Sequence, residues 1–212
     1  MELPEDYKKG YKYFLNTKID LSKRPLIPRE ETEYWVDCFL KENNNKIKYL
    51  DLFSGSGCVG ISILKNIKGS LCDFGEIKDE FIEQIKINIE INEIDKDRCK
   101  VLKTDIFSGI NDGYDVILAN PPYVAENRIS EVGEDVKEFE PAIALYGGFD
   151  GMDIIEKFLE QAKNYLNDKG LIIMEFDPEQ KEKIEKIVKE KYSKYNFEKD
   201  QFGLYRFIKI KK

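Results

Sequence analysis

Apolar residues recur along the chain with two periods, and the alternation between them predicts the architecture. Short runs rich in β-branched and aromatic residues predict strands over 49–53, 70–75, 100–104, 114–119 and 171–176. Between these runs, apolar residues fall three and four apart and predict helices over 28–41, after the turn 54–60 to about 67, and over 78–92, 153–166 and 178–191. The first helix begins behind Pro28, with Glu30, Glu31 and Glu33 in its first turn and an apolar stripe of Trp35, Val36, Phe39 and Leu40. Phe81, Ile82, Ile85 and Ile89 share one face of the helix over 78–92. Alternation of this kind predicts an α/β fold, a mostly parallel sheet covered by helices on both faces. Tyr11, Tyr13, Leu15, Ile19 and Leu21 predict a leading hairpin about the turn Asn16-Thr17-Lys18. The pieces 195–199 and 205–210 predict a closing antiparallel hairpin about Gly203, and 124–150 reads as a long loop. The chain thus divides into a hairpin extension over 1–27 and one domain over 28–212.

Composition narrows the chemistry. The chain has 212 residues, 42% hydrophobic and 35% charged, enough for one domain with a full core. No run approaches the roughly 18 apolar residues of a membrane helix, and the first residues lack the basic and apolar regions of a signal peptide. Cys38, Cys58, Cys72 and Cys99 are scattered without a C-x-x-C pair and predict reduced thiols in a cytoplasmic protein. There is no histidine, which removes the commonest general base and the commonest metal ligand, so no metal is expected. A net charge of -7 weighs against a nucleic-acid binder, which needs a cationic footprint.

Three stretches carry candidate chemistry. Asn120-Pro121-Pro122-Tyr123 ends the strand over 114–119, because proline cannot continue a ladder. The Asn120 amide oxygen, the Pro121 carbonyl and the Tyr123 face could together hold a planar amide or amino group. A plain strand-ending turn is the alternative. Asp51-Leu-Phe-Ser-Gly-Ser-Gly-Cys-Val-Gly60 stands between a strand and a helix. Gly55 and Gly57 permit a tight turn with backbone close to a ligand, and Gly60 permits close helix packing. Glu76, about 20 residues further on, suits a carboxylate that accepts both hydroxyls of a ribose; Asp73 competes for that role. Asp105 can accept from an adenine amino group while Ile106 or Phe107 covers the ring, or it can serve only as a turn cap.

In this order the stretches resemble a class I S-adenosylmethionine-dependent methyltransferase. More narrowly, the chain resembles the protein-(glutamine-N5) methyltransferases that modify peptide chain release factors. The match rests on Leu26 to Glu33, with Glu30 where a proline is usual, and on the loop 51–57. It also rests on Asn120 to Tyr123, Glu140 to Gly151, Glu175-x-x-x-x-Gln180 and Gly203 to Arg206. Asp177 stands where the family often has glycine. The resemblance implies a Rossmann-like, mostly parallel seven-stranded sheet with a C-terminal antiparallel hairpin. It also implies a short form without the family's helical N-terminal domain. S-adenosyl-L-methionine would lie against Phe53, Ser54, Gly55, Ser56, Gly57, Glu76, Asp105, Ile106 and Asn120, with Arg29 and Thr32 reaching its methionine part. A glutamine amide would be held by Asn120, Pro121, Pro122 and Tyr123, of which Asn120, Pro121 and Tyr123 would serve the chemistry. The implied partner is a release factor, with a small activator subunit as a further reading. Two rivals stand beside this one: an adenine-N6 methyltransferase acting on RNA or DNA, and a non-catalytic cofactor-fold subunit.

Overall fold

The computed structural model describes residues 2–212; Met1, the first residue of the predicted extension, lies outside the described residues. A short helix α1 (Glu5–Lys9) leads into the hairpin β1 (Tyr11–Phe14) and β2 (Thr17–Asp20). Its turn is Leu15-Asn16 rather than Asn16-Thr17-Lys18. Thr17 is already in the strand, where its hydroxyl donates to the Phe14 carbonyl at 2.6 Å, and Leu15 takes the positive φ of 50°.

Seven strands form the main sheet: β3 (Lys48–Leu52), β4 (Leu71–Glu76), β5 (Cys99–Lys103), β6 (Tyr114–Ala119), β7 (Leu166–Glu175), β8 (Lys194–Lys199) and β9 (Tyr205–Lys211). Their order is β5-β4-β3-β6-β7-β9-β8, with the first five parallel and the last two pairings antiparallel. This is the sheet that the resemblance implied. The chain winds outward from β3 to β5, then returns to β6 on the other side of β3. The gap between β3 and β6 is therefore the switch point, where open α/β sheets bind ligands.

Period-2 alternation sends successive side chains to opposite faces. Tyr49, Phe74, Val116, Leu118 and Ile173 pack with α2 (Glu30–Glu42), α3 (Cys58–Asn66), α4 (Asp79–Ile91) and the hairpin. Leu50, Leu52, Ile117, Ile172 and Met174 pack on the other face with α7 (Asp153–Gln161) and α8 (Lys181–Lys191). α3 lies close because Gly60 has no Cβ; one there would fall 2.4 Å from the Phe74 ring. The stretch 124–150 is not a featureless loop: it holds a 3-10 segment (Glu126–Glu131), α5 (Glu134–Phe139) and α6 (Ala142–Leu145). β7 begins at Leu166, five residues before the predicted start, since Leu166 pairs with Tyr114 before a register shift.

The hairpin is held by amides spaced four apart along α4, hence on one helical face. Asn92 accepts from Lys18 N at 3.0 Å and donates to its carbonyl at 2.8 Å. Asn88 does the same for Asp20, at 2.7 and 3.1 Å, and also donates to the Ser56 carbonyl at 2.9 Å. Gln84 accepts from Lys23 N at 2.8 Å. These side chains take the place of a neighbouring strand. Asn88→Ala leaves buried backbone groups of Asp20 and Ser56 unpaired. It should cost about 2–4 kcal/mol in denaturant unfolding, with faster amide exchange in β2. A cost below about 0.5 kcal/mol would show that the amide ladder does not hold the hairpin.

Candidate active site

The register places the candidate residues in one row. Leu52 pairs with Gly75 on one side and Ala119 on the other, and Ala119 pairs with Met174. One residue beyond, across the carboxyl edge of the sheet, stand Glu76, Phe53, Asn120 and Glu175. Over this row lies a cavity of about 250 Å³, room for a small organic molecule rather than a few waters. Phe53, Ser54, Gly55, Ser56, Glu76, Asp105, Ile106, Asn120, Pro122, Arg29 and Thr32 all line it. Gly57 is not in the lining; it turns the chain into α3 with φ 78°. Pro121 is buried outside the lining, and Tyr123 is turned away from the cavity, its hydroxyl donating to Glu175 Oε1 at 2.9 Å. Asp73 does not reach the cavity either. It accepts from the Tyr114 hydroxyl at 3.1 Å and pairs with Lys48 at 3.3 Å.

The glycine loop is closed by the chain's own carboxylates. Gly60 N donates to Asp51 Oδ2 and Gly55 N to Glu76 Oε2, each at 2.9 Å. Glu76 Oε1 also accepts from Ile77 N and Lys78 N at 2.8 and 2.9 Å. One loop donor that a dinucleotide phosphate would use, Gly55 N, is therefore spent, and Glu76 and Asp105 bring carboxyl groups to the cavity, while Asp51 keeps its proton up to about pH 8. Such a cavity suits a ligand that carries hydroxyls and an amino group. Burial raises the Glu76 carboxyl above the usual range, against the three backbone donors.

Asn120 sits in a buried network that sequence reading did not find. Its Nδ2 donates to Thr32 Oγ1 at 3.2 Å. Thr32 Oγ1 and Trp35 Nε1 both donate to Glu175 Oε2, at 2.7 and 2.8 Å. Burial pushes the Glu175 carboxyl up, and the bonds from Thr32, Trp35 and Tyr123 pull it back down. Glu175 stood in the sequence as part of the Glu175-x-x-x-x-Gln180 motif, and parity gave its direction: it lies two residues past Ile173, so it faces α2, as Asn120 does two residues past Leu118.

The segment after Asn120 roofs the cavity. Arg29 bonds Glu140 Oε1 at 2.6 Å, and Glu140 Oε2 accepts from Ile27 N at 3.1 Å. That ties the entry of α2 to α6, whose Ile143, with Tyr146 beyond it, lines the cavity. Gly151 has φ 76°, and a Cβ there would lie 2.2 Å from the Tyr123 carbonyl. Gln180 Nε2 joins the two strands of chain by donating to Tyr123 O at 2.8 Å and Gly151 O at 3.0 Å. Among the described residues, no cluster of His, Cys, Asp and Glu could hold a metal ion, and no helix is long and apolar enough to cross a membrane.

Residues 30–137 match the family described as methyltransferase small domain. The chain is 32% identical over 211 residues to the release factor glutamine methyltransferase of Lactococcus lactis, covering 98% of this chain and 77% of that one. It is 34% identical over 221 residues to the protein of the same name from Clostridium botulinum, covering 100% and 76%. Among solved structures, the ribosomal protein L11 methylase of Lactobacillus delbrueckii superposes with a TM-score of 0.66 at 19% identity, covering 91% and 82%. The T. thermophilus 16S rRNA N2 G1207 methyltransferase superposes with 0.69 at 15%, covering 95% and 49%. Both share the fold.

Burial lifts the Asp51 carboxyl from its ordinary 3.8 to about 8, against the bond from Gly60 and with a push from Glu76. The folded chain keeps a proton there that the unfolded chain releases above about pH 4. This group's stabilisation is therefore full below that pH and is lost as pH rises through about 8. Melting of the free protein between about pH 5 and about pH 9 should show Tm falling with pH. Asp51→Asn keeps an oxygen for Gly60 and has no proton to lose, so it should flatten the fall. Equal slopes in both proteins would contradict the assignment.

Proposed function

The chain belongs to the release factor glutamine methyltransferases, and from that premise we propose how its site performs the reaction. It is an S-adenosylmethionine-dependent enzyme that methylates a release-factor glutamine, and we take the target to be the side-chain amide nitrogen within Gly-Gly-Gln. The cavity, with Glu76 and Asp105 at its wall, suits the cofactor's hydroxyls and amino group. In this reading Glu76 takes the ribose hydroxyls and Asp105 the adenine amino group, with Ile106 against the ring. Phe53, the 54–57 loop, Arg29 and Thr32 line the remainder. When bound, S-adenosylmethionine supplies a methyl group on positively charged sulfur.

The observation that carries the proposal is Asn120. Its NH2 is given to Thr32, which leaves Oδ1 for the cavity. An amide nitrogen is a poor nucleophile because its lone pair is delocalised into the carbonyl, and the chain has no histidine to deprotonate it. Asn120 Oδ1 and the Pro121 carbonyl accept the two amide hydrogens and turn the nitrogen toward the cavity. Held in that orientation, the nitrogen needs little further reorganisation to react. The same two oxygens stabilise the positive charge that grows on nitrogen, an electrostatic contribution already in place. Pro122 lines the path, and Tyr123 stiffens the turn through Glu175. The proton leaves to solvent.

Residues 28–212 form the methyltransferase domain in this proposal, with 1–27 as an extension that closes its helical face. We take the enzyme to work in the cytoplasm, where a release factor acts in translation. Turnover of the purified chain with and without cell extract decides whether a small activator subunit joins it. An adenine-N6 role is not favoured, since the family tells against it.

Glu76→Ala should weaken cofactor binding by about 1–3 kcal/mol in calorimetry, with little effect from Asp73→Ala. The reverse result would assign the ribose to Asp73. Asn120→Ala should lose roughly 10²–10³ in turnover while cofactor affinity and melting stay near wild type. Asn120→Asp keeps an acceptor oxygen but loses the NH2 given to Thr32, so it should be nearly as inactive as Asn120→Ala while melting stays near wild type. Wild-type turnover by Asn120→Ala would leave Asn-Pro-Pro-Tyr as a strand-ending turn only.

A further inference from the structure

The hydrogen-bonding groups around Asn120 are not free to choose their direction. An indole N–H can only donate, and Trp35 donates to Glu175 Oε2 at 2.8 Å. Glu175 Oε2 is the acceptor of the Trp35 bond, and the three donors around the carboxyl and the Arg206 charge favour its ionised form, which can only accept, against the upward push of burial. Thr32 Oγ1, 2.7 Å from the same oxygen, must spend its one proton there. Only lone pairs are left to Thr32 on the side of Asn120, so the group it meets at 3.2 Å has to be the NH2. The flipped amide would set oxygen against oxygen. The Tyr123 hydroxyl occupies the other carboxylate oxygen, and Glu175 is 0% exposed, so water cannot substitute for any of these partners.

We infer that Glu175 is a positioning residue for methyl transfer: through Thr32 it dictates that Asn120 presents its oxygen, and not its NH2, to the substrate. The inference rests on Asn120 being the amide acceptor. Its consequence is selectivity. A site that offers an oxygen accepts a group with hydrogens to give, the carboxamide of glutamine. It rejects the carboxylate of glutamate, which would bring a second acceptor to the same place. Glu175 thus sets, three links from the substrate, which of two nearly isosteric side chains the site can hold.

The test uses the full chain with a folded release factor. Thr32→Val is nearly isosteric and removes the relay hydroxyl. Turnover should fall by about 10²-fold, the scale of a misplaced reacting group, and by far more than any loss of cofactor affinity in calorimetry. Thr32→Ser restores the hydroxyl and should restore turnover. Glu175→Gln can keep its oxygen for Trp35 and Thr32 and give its NH2 to the Tyr123 hydroxyl, so it should stay close to wild type. Glu175→Met removes the acceptor and should lose as much as Thr32→Val; if it does not fold, the Thr32 pair alone decides. In the cofactor-free protein, the Asn120 NH2 protons seen by NMR should exchange faster in Thr32→Val than in wild type. Wild-type turnover by Thr32→Val, or a folded Glu175→Gln as inactive as Thr32→Val, would overturn the positioning role. Asn120→Ala, measured alongside, separates the two readings. Its full activity would remove the acceptor itself, whereas its inactivity beside an active Thr32→Val removes only the relay.

Discussion

A carboxylate sealed from water must be met by donors, and Glu175 is such a carboxylate at the last residue of β7. Taking an ion out of water costs several kcal/mol unless its lone pairs are satisfied. Here the donors come from Thr32 and Trp35 on α2 and from Tyr123 after β6. The electrostatic demand of one side chain thereby joins a strand end, a helix and a loop far apart in sequence. α2 cannot slide along the sheet without stranding the charge, and Asn120 cannot turn without losing Thr32. The site's geometry follows from that constraint more than from any contact with the cavity.

The cavity is governed by a second set of buried acids. Asp51 and Glu76 spend their oxygens on the glycine loop's own N–H groups. A loop with the G-x-G-x-x-G spacing thus has less donor capacity left for a phosphate. Glu76 stays at the cavity wall, in line with perturbed groups clustering at functional sites.

Much of this was legible in the chain. β6 spans Tyr114–Ala119 as its β-branched run and the two prolines predict, and Asn120 follows it at the edge. Glu76 and Asp105 line the cavity because strand ends in parallel sheets converge on the switch point. What was hidden depended on tertiary pairing. The amides of Gln84, Asn88 and Asn92 do not announce themselves by polarity alone; their partners exist only once β2 lies against them. Glu175 stood out as part of a motif, but its partners Thr32, Trp35 and Tyr123 appear only once α2 and the turn after β6 lie against it. The segment 124–150 has little apolar periodicity of its own. Its short helices are held by the pairing of Val124 with Tyr146 and by Arg29 on Glu140.

The central claim is that this site methylates a protein amide. The purified chain, incubated with S-adenosylmethionine, a bacterial release factor and an RNA mixture together, tests it directly when both substrates are digested and analysed by mass spectrometry. The account predicts a single added methyl group on the side-chain nitrogen of the Gly-Gly-Gln glutamine and unmodified adenines. Methylated adenine beside an unmodified release factor would contradict it.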